Sequence, residues 1–212
     1  MPETVVLVHG IWMTGLEMLP LARRLRTCGY HTRVLRYRSL RRPLDWNARR
    51  LIRLVHQSGP GPVHLVGHSL GGLVILQALQ DCPGLVAGRM VLLGCPVNGS
   101  RIAQRLYRRR WSRWLVGRCA VHGLLGDGPR WQGYPAAGVI AGTRPVGLGQ
   151  LLGGFTGPGD GTVALSEMDV DSAHAARLIR TTHMGLLFSA PVAQAVCRFL
   201  ATGCFDAPDT AV

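Results

Sequence analysis

Residues 63–80, VHLVGHSLGGLVILQALQ, change periodicity part-way along. VHLV is an apolar run of strand length, Gly67-His68-Ser69-Leu70-Gly71 interrupts it, and the next apolar residues continue at helical spacing. A turn this tight forces its central residue into a strained conformation with its side chain exposed. The positions two before and two after it must then be small, as Gly67 and Gly71 are. Gly72 keeps the start of the helix close to the sheet. The simpler alternative is a helix N-cap serine in a glycine turn.

Strand and helix patterns alternate along the rest of the chain. Strands are predicted at 4–8, 32–36, 63–66, 89–93, 138–141 and 176–180, and helices at 18–28, 44–57, 70–80, 101–116 and 189–201. Such alternation predicts an α/β fold, with a mostly parallel central sheet of about six strands and helices on both faces. No linker divides residues 1–212, so one domain is expected. SGPGP (58–62) is a loop, whereas the Gly-rich 142–161 is long enough to be a functional one.

A serine hydroxyl becomes a useful nucleophile only when a base takes its proton and a third group orients that base. His183 follows the last predicted strand and precedes the final helix, which makes it the best base among eight histidines. Asp160, between glycines in GPGDGTVAL, is the candidate acid, with Asp127 in LGDGPR as its rival; Asp169 and Asp171 suit exposed turns. His68 adjoins Ser69 and is expected to point elsewhere. His9 is expected to be a hydrogen-bonded loop residue. Gly10 allows a bend after the first strand that would aim N–H groups above Ser69. Ile11 and Leu70 are therefore the expected backbone donors to an oxyanion, and Trp12 and Cys95 the expected pocket lining.

VVLVHGIW, VHLVGHSLGG, GDGTV and THMGLLFS resemble, in order and over nearly the whole chain, elements of the α/β-hydrolase superfamily. The similarity is greatest to small bacterial lipases and esterases with little or no cap. The resemblance implies Ser69 as nucleophile, His183 as base, Asp160 as orienting acid, Ile11 and Leu70 as oxyanion donors, and no cofactor or metal. Thr182 departs from the family pattern, which has glycine before the histidine.

All 24 basic residues are arginine, against 11 acids, for a net charge of +13. Uniform arginine reads as coding bias, but the excess is real. Eleven arginines lie between Arg23 and Arg53 and seven between Arg101 and Arg118. That field would attract anionic membranes, nucleic acid or acidic substrates, although a solvated basic face is favoured over a dedicated site. No nucleic-acid motif accompanies it, so specific nucleic-acid binding is not expected. The N-terminus enters a strand without a signal-peptide pattern, which makes the cytoplasm the expected location. The six cysteines show no metal spacing and are expected as free thiols.

Between Gly94 and Gly138 lie 43 residues, where a crossover helix needs about a dozen. The resemblance offers a short lid or cap at about 101–136 as one reading, in which the arginines and tryptophans of 101–118 suit an anionic membrane surface. The favoured reading is a plain crossover helix with Ala103, Leu106, Tyr107, Trp114 and Leu115 on its apolar side and its arginines in water. For function, a carboxylic ester hydrolase of lipase or esterase type leads. A thioesterase or acyltransferase with the same residues comes next, and a basic membrane- or nucleic-acid-binding protein last.

Overall fold

A computed structural model of the chain describes residues 2–86, 88–152, 157–168, 170 and 173–205. Asp169 and Asp171 lie outside the described residues. Strands β1 (Thr4–Val8), β2 (His31–Leu35), β3 (Val63–His68), β4 (Met90–Leu93), β5 (Ala137–Gly142) and β6 (Ala175–Ile179) form one sheet in the order β2-β1-β3-β4-β5-β6. Every neighbouring pair is parallel. The helices are α1 (Leu19–Thr27), α2 (Leu44–His56), α3 (Leu70–Asp81), α4 (Arg101–Arg108), α5 (Arg113–Val121), the single turns α6 (Leu148–Leu151) and α7 (Gly185–Phe188), and α8 (Ala190–Thr202).

Successive side chains of a strand face opposite ways, and β1 uses both faces for core. Val6 and Val8 pack with Leu44, Ala48 and Leu51 of α2 and with Leu70, Leu73 and Val74 of α3. Val5 and Leu7 pack with Leu21 and Leu25 of α1 and with Val192, Val196 and Phe199 of α8. Each such side chain contributes about 1.5–3 kcal/mol by leaving water. β1 lies between β2 and β3, so the strand order reverses there, the place where open α/β sheets form crevices at their carboxyl edge.

Two expectations fail. Cys28 and Cys197 are disulfide-bonded, not free. Cys28 caps the C-terminal end of α1, which packs beside α8 on the same face, and the two Cα atoms stand 6.3 Å apart, within bridging range. The helix predicted at 101–116 is broken after Arg108. The Ser112 hydroxyl donates to the Leu106 carbonyl at 2.8 Å across the turn, and a new helix starts at Arg113. Ala103 and Leu106 are buried, but Trp114 is 70% exposed and does not share their face.

Candidate active site

Ser69 sits between β3 and α3 at φ 53°, ψ −125°, as the N-cap of the helix. Trp12, in the loop after β1, has φ 60°. They are the two non-glycine residues with left-handed φ among those described, a conformation that costs on the order of 1–3 kcal/mol. Both line the same space at the carboxyl edge of the sheet. The turn requires glycine because α3 begins against β1. A Cβ on Gly71 would lie 2.2 Å from the Val8 carbonyl oxygen, and one on Gly67 would lie 2.8 Å from the Gly72 backbone.

Asp160 is fully buried in a tight turn at the end of the Gly-rich loop. One carboxylate oxygen, Oδ1, accepts from the amides of Thr162 and Val163 at 3.0 and 2.8 Å. The other, Oδ2, accepts from His183 Nδ1 at 2.6 Å, while the His183 amide donates to the Asp160 carbonyl at 2.9 Å. With its proton on Nδ1, the neutral ring keeps a lone pair on Nε2. His183 and Ser69 line one cavity together with Ile11, Trp12 and Met184. The chain thus brings Ser69, Asp160, His183, Ile11 and Trp12 into one neighbourhood. Leu70 directly follows Ser69 as the first residue of α3, where amides lack intrahelical partners.

A second, apolar cavity adjoins Ser69, walled by Ile11, Trp12, Ile102, Ala103, Leu106 and Val116. It is narrow in this structure, with room of about 50 Å³. Its roof is α4. The N-terminus of α4 is braced by Glu167, whose Oε1 accepts from the Arg101 amide at 2.7 Å and whose Oε2 accepts from the Ala164 amide at 2.9 Å.

Some residues lie elsewhere than expected. Cys95 does not border either cavity at Ser69. It is packed behind the turn, where a Cβ on Gly72 would come within 2.4 Å of its Sγ, and faces a separate pocket with Leu76 and Trp131. Burial pushes its thiol up to about 12. Asp127 is exposed, 3.5 Å from the exposed His122. His9 is a buried loop residue stacked on Tyr37 at 4.2 Å, as expected.

His68 was expected to point away but lines the cavity with Ser69. Its Nε2 donates to the His183 carbonyl at 3.1 Å, and its Nδ1 has no hydrogen-bond partner among the described residues. Burial, then the neighbouring His183, holds its pKa well below the usual value, so it is neutral.

The alpha/beta hydrolase family matches residues 5–200. The chain belongs to that family. This alpha/beta hydrolase is similar to the mature form of Bacillus licheniformis lipase BlEst2, with a TM-score of 0.72 and 19% identity over 93% of this chain and 90% of that one. It is also similar to the NocB thioesterase domain from the nocardicin cluster, with a TM-score of 0.60 and 19% identity over 95% of each chain. At such identities these likenesses show the shared fold. A stretch of 52 residues, 24% of the hydrolase, is 40% identical to pimeloyl-[acyl-carrier protein] methyl ester esterase of Methylococcus capsulatus. That match spans 20% of the esterase's length. Among the described residues no helix is long and apolar enough to cross a membrane.

Proposed function

We propose that this alpha/beta hydrolase is a serine esterase of lipase or esterase type, working through Ser69, His183 and Asp160. One observation carries the reading: Ser69, strained at a helix N-terminus, shares a cavity with a histidine whose Nδ1 is held at 2.6 Å by a buried carboxylate. His183 Nε2 takes the hydroxyl proton as Ser69 Oγ attacks the ester carbonyl carbon. The carbonyl π electrons move onto oxygen, and the N–H groups of Ile11 and Leu70 receive that charge. Such a donor is worth about 2.7–4 kcal/mol in related sites. The intermediate collapses, the C–O bond to the alcohol breaks, and His183 returns the proton to the departing oxygen. Water then repeats the sequence on the acyl-enzyme, releasing the acid and restoring Ser69.

The proton must be delivered on the His183 side, so the alcohol is placed in that cavity and the acyl chain in the apolar one under α4. In this reading residues 1–212 act as one domain, with α4 and α5, inside 101–136, as its cap. No cofactor enters any step. The arginine-rich cap suits an ester held in or near an anionic membrane. A cytoplasmic location belongs to the same proposal, and the state of Cys28 and Cys197 in cells tests it, since a bridge persisting there would indicate an oxidising compartment.

The alternative uses the same residues: a thioesterase would release a thiol instead of an alcohol, and an acyltransferase would pass the acyl group to an acceptor other than water. Turnover of p-nitrophenyl esters of increasing acyl length, by wild type and Ser69→Ala, tests the proposal. Hydrolysis lost in the folded variant is the expected result; equal activity would refute it. Added alcohol capturing most of the acyl group in place of water would favour acyl transfer.

A further inference from the structure

We propose that the turn between α4 and α5, with the loop 38–42 beside it, is a docking surface for an anionic lipid bilayer. This deepens the esterase reading by placing its substrate at a membrane, although the docking itself does not need Ser69. Three observations carry it. Trp111 and Trp114 are each 70% exposed, while the core beneath is completed by Ile102, Ala103, Leu106 and Val116 without them. Arg108, Arg109, Arg110 and Arg113 are exposed around the two indoles.

The third observation is that the two arginine-rich stretches meet in space. Gly117, at φ 68°, interrupts α5, and a Cβ there would lie 2.6 Å from the Leu40 Cα. The Arg118 amide donates to the Leu40 carbonyl at 2.9 Å. This contact sets the exposed Arg38, Arg41 and Arg42 beside α5. Across 36–50 and 101–121 the sequence holds one acid, Asp45, and it is bonded to Arg49.

Charge and apolarity together select the partner. Tryptophan settles at the level of lipid headgroups, and arginine close to an anionic leaflet gains from its surface potential. The same two helices wall the apolar cavity beside Ser69. A chain docked by this face would hold the cap of that cavity against the lipid, close to the source of an ester with an apolar acyl chain. Nucleic acid and acidic polypeptides match the charge but offer nothing to two projecting indoles.

The test is sedimentation of the full chain with phosphatidylcholine vesicles, with and without phosphatidylglycerol, at low and raised salt. Wild type should bind the anionic vesicles, and raised salt should weaken that binding. Replacing Arg108, Arg109 and Arg110 together by Gln should weaken it by about a hundredfold. Trp111→Ala with Trp114→Ala should also weaken it, by about tenfold, and both variants should turn over a soluble short-chain ester as wild type does. Circular dichroism verifies that each variant is folded. Ser69→Ala should bind vesicles like wild type, so the docking and the esterase reading can fail separately. Equal binding to neutral and anionic vesicles, or wild-type binding by the triple-Gln variant, would overturn the proposal. So would a preference for duplex DNA or polyglutamate that survives an excess of anionic vesicles.

Discussion

The indole N–H of Trp12 donates to the Leu115 carbonyl at 2.8 Å, tying the loop after β1 to α5 across 103 positions of sequence. Trp12 holds a left-handed φ that only surrounding contacts sustain, and Ile11 immediately precedes it. In the proposed mechanism the hydrogen bond is a strut that fixes where the Ile11 amide points.

Trp12→Phe keeps the ring and removes the donor. A hydrogen bond of this kind is worth about 0.5–1.5 kcal/mol, so kcat should fall about two- to tenfold with KM nearly unchanged. Steady-state kinetics on a p-nitrophenyl ester measures both. A rise in KM at constant kcat would make Trp12 a binding residue instead.

Asp160→Asn would present an amide to His183 Nδ1 and favour the wrong imidazole tautomer. Related sites lose about ten-thousandfold in kcat this way. Asp127→Asn should stay near wild type, because that carboxylate is exposed and pairs with His122. Measuring kcat/KM of both variants side by side decides the assignment, and the reverse ranking would move the acid to residue 127.

His68 and His9 both have pKa values lowered by burial, from an ordinary 6.5. Folded, they stay neutral as pH falls through that value, while the unfolded chain takes up protons. The unfolded state then binds more protons, so stability present above about pH 6.5 is lost progressively below it. The thermal midpoint should therefore drop between about pH 7.5 and 5.5, and less steeply in His68→Gln. A flat profile in wild type would mean that these rings protonate without unfolding.

Leu106 lines the apolar cavity assigned to the acyl chain. Leu106→Trp should lower kcat/KM for long acyl esters by about tenfold and leave acetyl ester turnover near wild type, since a few buried methylenes are worth about 0.8 kcal/mol each. If the acetyl ester suffers equally, the acyl chain lies elsewhere.

The strands and most helices were legible because local periodicity determines them: the apolar run of Thr4–Val8 and the spacing of Leu44, Ala48 and Leu51 needed no tertiary information. Ser69 was legible because its turn demands glycines at fixed offsets, and Asp160 because of its Asp-Gly turn. The Cys28–Cys197 bridge was not, since it depends on α1 and α8 packing side by side across 169 positions. Nor was the break between α4 and α5: arginine-rich sequence has good helix propensity, and the turn is closed by the Ser112 hydroxyl on the Leu106 carbonyl, which periodicity does not reveal. Cys95 was misplaced because following a strand does not say which side of the turn a residue will pack on.

Mass spectrometry of the protein treated with a fluorophosphonate tests the central claim most directly. The account predicts one adduct per chain, mapped to Ser69, with loss of ester hydrolysis in proportion to labelling and no adduct on Ser69→Ala. An adduct mapped to another residue, or full inactivation with Ser69 unmodified, would contradict it.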